Sequence, residues 1–320
     1  MTLGYLLGGG VGAVPHGIEL HRAFLLVRDL YDQISEWTGV PVEQMVAAGL
    51  SEKPTEARTV GMIREAAQAL AVYELLGDAG VRPGAVGGLS LGAMTSSSIA
   101  GAVDRKVLLE TLVMFGQYEE PAGRPAEALA VATIPVVEGI DGYCGRGAHG
   151  KVYQAGYFGP SADGSLAIHL LAGHLDALTA LAVSHIPGRI TILPGRSAAV
   201  HTPLRQHLRD NMASYVASMP IRTPLLPFYS CFEEKRLTTV DDVRDVFARN
   251  PVDPIDLTKV TAAMYADGVE LGVIVGASIP AGLLGFPFPV VHVERPEDLE
   301  KAIATIYELG VDIAPAGSTT

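Results

Sequence analysis

Gly88-Leu89-Ser90-Leu91-Gly92 matches the pattern Gly-x-Ser-x-Gly, whose chemistry is that of an exposed serine nucleophile. The pattern works where a strand turns sharply into a helix and thrusts the serine oxygen out of the sheet. Ala85-Val86 are strand-like and a small-residue run follows Gly92, so the pentapeptide has the required context. Glycines two residues away on either side let neighbouring backbone pass close. The helix start offers free N–H groups and a positive dipole end to a developing oxyanion. A serine also needs a base. His16/His21 and His169/His174 are spaced by five, which is poor for one helical face, and no carboxylate pattern beside them points to a metal. His201 follows a strand-like run and a small-residue loop and precedes Thr202-Pro203, where proline can open a helix. Spacing alone leaves His201 one candidate among several.

These residues need a scaffold, and the pattern supplies alternating strands and helices. Tyr5–Leu7 is an apolar run ending in Gly8-Gly9-Gly10. His16–Trp37 and Thr59–Leu76 have apolar residues at threes and fours. Ala85–Leu89 reads as a strand and Leu91–Val103 as a small-residue helix. This alternation predicts a parallel sheet covered on both faces. The middle of the chain differs. Strands over Ala128–Val137, Leu166–Leu171 and Arg189–Leu193, with a helix over Leu175–Ser184, predict a small α+β insert there. From His201 the helix–strand alternation returns, with a helix over Pro203–Met219 and strands over Leu225–Ser230 and Leu271–Val275. The expected division is 1–125 and 198–320 for a large subdomain and 126–197 for the insert.

Composition narrows the classes. The 320 residues carry 35 acidic against 23 basic side chains, net −12, which argues against general nucleic-acid binding. Half-apolar content with few charges excludes a disordered or fibrous chain. Cys144 and Cys231 are too few for a disulfide framework or a cysteine zinc site. Leu271–Val291 is uncharged and long enough to span a bilayer, but Pro280, Pro287, Pro289 and four glycines break it, so a core segment is expected. With no charged-then-apolar leader, a cytoplasmic protein is expected, ending in a frayed tail over Pro315–Thr320.

Gly88–Gly92 with its Ala-rich helix resembles the active-serine segment of malonyl-CoA:acyl-carrier-protein transacylases and polyketide-synthase acyltransferase domains. Ala198–Leu204 resembles the histidine segment of that family, Asn250-Pro251-Val252 a weaker landmark, and Tyr5–Gly10 its first strand and glycine loop. The order of all four segments fits nearly the whole chain. The resemblance implies an α/β fold: an α/β-hydrolase-like large subdomain with a parallel sheet and a ferredoxin-like insert. It implies a dyad in which Ser90 takes the acyl group and His201 is base, then acid. A backbone carbonyl around Asp253 would orient the histidine, and the N–H of Leu91 with one from the Gly9 loop would hold the oxyanion.

The departures from the family bear on specificity. Gly9 stands where Gln helps shape the pocket floor, and Leu89 replaces the usual His before the serine. Phe115 falls near the Arg that pairs with a malonyl carboxylate, unless Arg105 or Arg124 supplies that charge. Val200 replaces the Phe common in malonyl-selective members. A buried carboxylate without a partner costs several kcal/mol. The chain is therefore expected to take a monocarboxylic acyl group, bulky, apolar or aminoacyl-derived, into a chamber without a cation. The donor would be acyl-CoA or acyl-carrier protein and the acceptor the phosphopantetheine thiol of a carrier, with no other cofactor, in polyketide-type secondary metabolism. The carrier is acidic, so Arg189, Arg196, Arg205 and Arg209 form the expected docking face. Water or an alcohol as acceptor would instead give a thioester hydrolase or an O-acyltransferase. A monomer is expected.

Overall fold

Five of the six residues of β1 (Thr2–Leu7) are buried, because this short apolar strand takes a central place in a sheet with neighbours on both sides. The computed structural model describes residues 2–9, 17–145, 151–276, 279 and 282–310. The readings of Gly10, His16 and the 315–320 tail concern residues outside this set. The expected His16–Trp37 helix is two helices, α1 (Ile18–Ala23) and α2 (Leu25–Thr38), because Phe24 adopts an extended conformation between them. A short α3 (Val42–Met45) precedes α4 (Pro54–Asp78), which begins with proline at its first turn. Ile63, Ala66, Ala67 and Leu70 of α4 are fully buried. Then come β2 (Ala85–Gly88), α5 (Leu91–Ile99) and α6 (Arg105–Gln117), the last capped by the Asp104 side chain on the Lys106 N–H.

The insert begins with β3 (Glu127–Pro135), β4 (Val152–Pro160) and β5 (Leu166–His174), followed by α7 (Leu175–Ser184) and β6 (Ile190–Ile192). Strand β4 has no counterpart among the sequence expectations. Gly156, Gly159 and Pro160 disguise its alternation, and its register slips at Gln154/Gly156 and again at Tyr157/Gly159. The four insert strands lie in the order fourth, first, third, second, which is the ferredoxin-like order. Among the described residues the sheet carries one helix, α7; the described part of the β3–β4 connection consists of turns.

The remaining elements are α8 (Gln206–Ser218), β7 (Phe228–Tyr229), β8 (Arg236–Leu237), α9 (Val240–Arg249), β9 (Ile255–Asp256), α10 (Leu257–Ala266), β10 (Val269–Val275), β11 (Val290–Val293) and α11 (Pro296–Glu308). The large sheet runs β11-β10-β1-β2-β7-β8. It is parallel throughout except for the β7–β8 pair at its edge. The uncharged stretch from Leu271 thus supplies β10, and no helix among the described residues is long and apolar enough to cross a membrane. Strand β9 comes from the third range of the chain yet pairs parallel with β4, adding a fifth strand to the small sheet. Gly156 permits this approach, since a Cβ there would sit 2.9 Å from Ile255.

Candidate active site

Ser90 stands between β2 and α5 with φ 53° and ψ −120°, a backbone state that costs about 1–3 kcal/mol in a non-glycine residue. The neighbouring glycines make the turn possible. A Cβ on Gly92 would lie 2.2 Å from the Leu7 carbonyl oxygen, and one on Gly88 would lie 2.6 Å from the same atom. The Leu89 N–H anchors the elbow by donating to that oxygen at 3.0 Å. Leu91 is the first residue of α5, so its N–H has no acceptor within the helix. Gly9 lies against the elbow, where a Cβ would come within 3.0 Å of the Ser90 Cβ. The expected oxyanion donors therefore lie beside the nucleophile.

His201 reaches Ser90 from the other side of the cleft. Its Nε2 is 2.8 Å from Ser90 Oγ. The residue is buried and, like Ser90, has left-handed backbone, with φ 62°. Its N–H donates to the Pro251 carbonyl at 2.8 Å. Directly after it, Thr202 caps the turn Pro203–Arg205 through the Leu204 N–H. Burial pushes the imidazole down to about 4, opposed only by the backbone carbonyl of Asn250. The Nδ1 atom is buried and makes no well-formed hydrogen bond. The backbone carbonyl that bears on the ring is that of Asn250, three residues before Asp253. The Asp253 carboxylate is drawn away by Arg249, 2.6 Å distant, which also pairs with Glu233.

An imidazole titrating near 4 is neutral at physiological pH and keeps its lone pair for the serine proton. Protonation below that value removes the base. The rate of Ser90 acylation should stay flat from about pH 8 to about pH 5 and fall below it. Single-turnover acylation across pH checks this; a break near the free-imidazole value shows that burial does not hold the ring neutral.

Ser90 opens on a cavity of about 420 Å³. Phe115 and Val200 line it as expected, together with Met62, Leu91, Met94, Leu129 and Leu208. Leu89 and Gly9 are not in its wall; Leu89 is buried in the hydrophobic core. The expectation of a chamber without a cation is corrected, since Arg58 and Arg196 both line it, as does Glu52. Arg58 is engaged with the carbonyls of Gly116 and Tyr118 and with Glu120. Arg196 lies in the field of Glu65, and its Nη2 is buried without a hydrogen bond. Burial lowers both guanidinium pKa values. Neither of the two alternative arginines lines the chamber. Arg105 pairs with Glu74, and Arg124 binds Glu127 and the Leu204 carbonyl.

The expected docking face does not form as one surface. Arg205 is buried between Glu120 at 2.6 Å and Glu127 at 2.9 Å. Arg196 belongs to the chamber, and Arg189 pairs with Glu138 and the Tyr143 hydroxyl on the small subdomain. Arg209 is half-buried on α8. A run of basic residues in sequence says nothing about which are already neutralised in the fold.

Sequence reasoning also missed Cys231. The thiol is buried beside the Ser90 backbone, and burial pushes its pKa up to about 12. It is a neutral packing group at the base of the elbow. Among the described residues no cluster of His, Cys, Asp and Glu is arranged to hold a metal.

No protein-family model matches the chain. It is 25% identical over 268 residues to the malonyl-CoA–acyl-carrier-protein transacylase of Escherichia coli K12, covering 82% of this chain and 84% of that one. It is 26% identical over 263 residues to the 5-methyl-1-naphthoate synthase of Streptomyces sahachiroi, covering 77% of this chain but only 14% of that protein. Among solved structures, a malonyl-transacylase in complex with its type II polyketide-synthase acyl-carrier protein superposes with a TM-score of 0.81 at 20% identity. The match covers 95% of this chain and all of that one. The chain is thus similar in sequence to malonyl-CoA–acyl-carrier-protein transacylases, and it shares the fold of a solved member of that group.

Proposed function

We propose that the chain is a discrete acyltransferase that moves a non-dicarboxylic acyl group from a thioester donor to the phosphopantetheine thiol of an acyl-carrier protein, in polyketide-type secondary metabolism. The single observation that carries the reading is the 2.8 Å contact between Ser90 Oγ and His201 Nε2 at the mouth of an apolar-walled chamber. The relatives support the carrier as partner, since one is named for transacylation to an acyl-carrier protein and another is solved with such a carrier bound.

The reaction runs in two balanced halves. Ser90 Oγ attacks the thioester carbon as its proton passes to Nε2 of neutral His201. The tetrahedral oxyanion is held by the Leu91 N–H and a donor from the Gly9 loop. The C–S bond then breaks, the leaving thiolate takes the proton from His201, and the acyl group remains as an ester on Ser90. In the second half His201 removes the proton of the carrier thiol, whose sulfur attacks the ester carbonyl. The C–O bond breaks and Ser90 recovers its proton.

Charge balance around the chamber supports a non-dicarboxylic acyl group. Arg58 is offset by Glu120 and Arg196 by Glu65, and Glu52 adds a negative charge to the wall. An incoming carboxylate would face Glu52 on the wall, and burial of a carboxylate without an ion-pair partner costs several kcal/mol. Phe115 adds apolar surface where an acyl chain gains about 0.8 kcal/mol for each buried methylene.

The test is intact-protein mass spectrometry after mixing the enzyme with malonyl, methylmalonyl and a graded set of monocarboxylic acyl thioesters. Each is followed by carrier protein, with free-acid release measured in parallel. Monocarboxylic adducts on Ser90 that pass to the carrier are expected. Malonyl loading that disappears in Arg196→Leu would make Arg196 a carboxylate clamp and overturn the specificity. Release to water at the rate of transfer would overturn the choice of acceptor.

A further inference from the structure

We infer that Arg64 is a positioning residue that limits the size of the acyl group, by holding the loop over residues 46–53 as a wall of the chamber. The inference rests on the cavity beside Ser90 being the acyl chamber, as proposed above. Arg64 lies on α4 and is 1% exposed. Its guanidinium is spent on the connection between α3 and α4. Nε and Nη2 both donate to the Gln44 carbonyl, at 3.1 and 2.6 Å. Nη2 also reaches the carbonyls of Ala47 and Gly49, each at 2.8 Å. Leu50, Ser51 and Glu52, directly after Gly49, line the chamber. A second tie comes from Glu56, which accepts the Ser51 hydroxyl at 2.8 Å and the Gln44 side-chain amide at 3.3 Å.

A buried cation is costly unless it is paired. Among the described residues Arg64 has no carboxylate partner, and burial lowers its pKa with only Tyr31 opposing. Its Nη1 is buried without a hydrogen-bond partner. What the side chain does satisfy is the loop, whose carbonyls converge on it from three positions. A planar fork of fixed donors suits that task, whereas the ammonium of lysine is a single point charge. Without these donors the carbonyls must turn to water, which draws the loop away from α4. Helix α4 itself contributes Gly61 and Met62 to the chamber. The spacing between helix and loop therefore sets the room left for an acyl chain.

The experiment is single-turnover acylation of the intact enzyme by N-acetylcysteamine thioesters of straight chains from butanoyl to dodecanoyl, with malonyl and hexylmalonyl thioesters alongside. A small alkyl fluorophosphonate reports the nucleophile without the chamber. There Ser90 Oγ bonds to phosphorus, fluoride leaves, and the serine proton passes to His201. The wild-type acylation rate is expected to fall beyond a limiting chain length. Arg64→Met keeps the reach of the side chain but no donor. It is expected to raise the rate of the first excluded chain, relative to butanoyl, by about tenfold, the discrimination typical of one methylene. Labelling should stay within about threefold of wild type, since the elbow is untouched. A gain for larger groups is an effect that loss of stability alone does not produce. Arg64→Lys should fall between the two, and with Glu56→Ala it serves if the methionine variant does not fold. An unchanged size ratio in the variants, or no length limit in wild type, overturns the proposal. So does a loss of labelling as large as the change in acylation. A wild type that prefers malonyl overturns the specificity reading alone, because the ratio of hexylmalonyl to malonyl still reads the wall. A wild type that neither acylates nor labels overturns both.

Discussion

Replacing His201 with alanine lowers the rate of Ser90 acylation by roughly 10⁴-fold, with the adduct still forming slowly on Ser90. The 2.8 Å contact places the imidazole where it can accept the Oγ proton, and without a base the hydroxyl attacks at its ordinary, weakly nucleophilic pKa. Residual acylation comes from the oxyanion donors and substrate binding. Ser90→Ala abolishes the adduct, and the double variant turns over no more slowly than the worse single variant, since the two groups act as a unit. Rapid-quench mass spectrometry reads all three. An alanine variant at position 201 within tenfold of wild type would show that another group takes the proton.

The largest effect on stability is expected at Glu127. This buried carboxylate binds Arg205 at 2.9 Å and Arg124 at 2.5 Å, and it accepts the Ala199 N–H at 2.8 Å. Alanine there leaves the Arg205 guanidinium buried with only Glu120 for compensation. Breaking a buried pair from one side costs about 3–5 kcal/mol, a fall in Tm on the order of 10 °C. The Ala199 N–H lies two residues before His201, so loss of its acceptor also slackens the histidine segment and lowers the acylation rate. Thermal unfolding and acylation of Glu127→Ala check both effects. Arg244→Ala is the control: it breaks a pair with the exposed Asp241 and costs less than about 1 kcal/mol. Equal losses in the two variants would overturn the account of the network.

The elbow was legible because Gly88, Ser90 and Gly92 report a local steric requirement that any such turn must meet. The parallel sheet was legible because β1, β2 and β10 are short apolar runs bounded by glycines. The long-range features were not. Strand β4 carries two register shifts that erase a period of two. Asn250 lay within a quoted sequence landmark, yet its amide gains meaning only beside the Ser90 carbonyl, 160 residues away. Arg58 and Arg196 enter the chamber from distant parts of the chain, and nothing in their neighbours announces it. The basic run after His185 misled for the converse reason: Arg205 carries its charge into the interior, where acidic residues from 120 to 127 meet it.

The pairing of Ile255-Asp256 with β4 sets a limit on engineering. A graft that exchanges the insert between relatives by cutting near 126 and 197 leaves the transplanted sheet with a raw edge at Gly156–Tyr157, the place where a foreign strand would dock. A workable chimera must carry residues 255–256 along with the insert, or match the donor's residue at 156 to the resident strand that will lie against it.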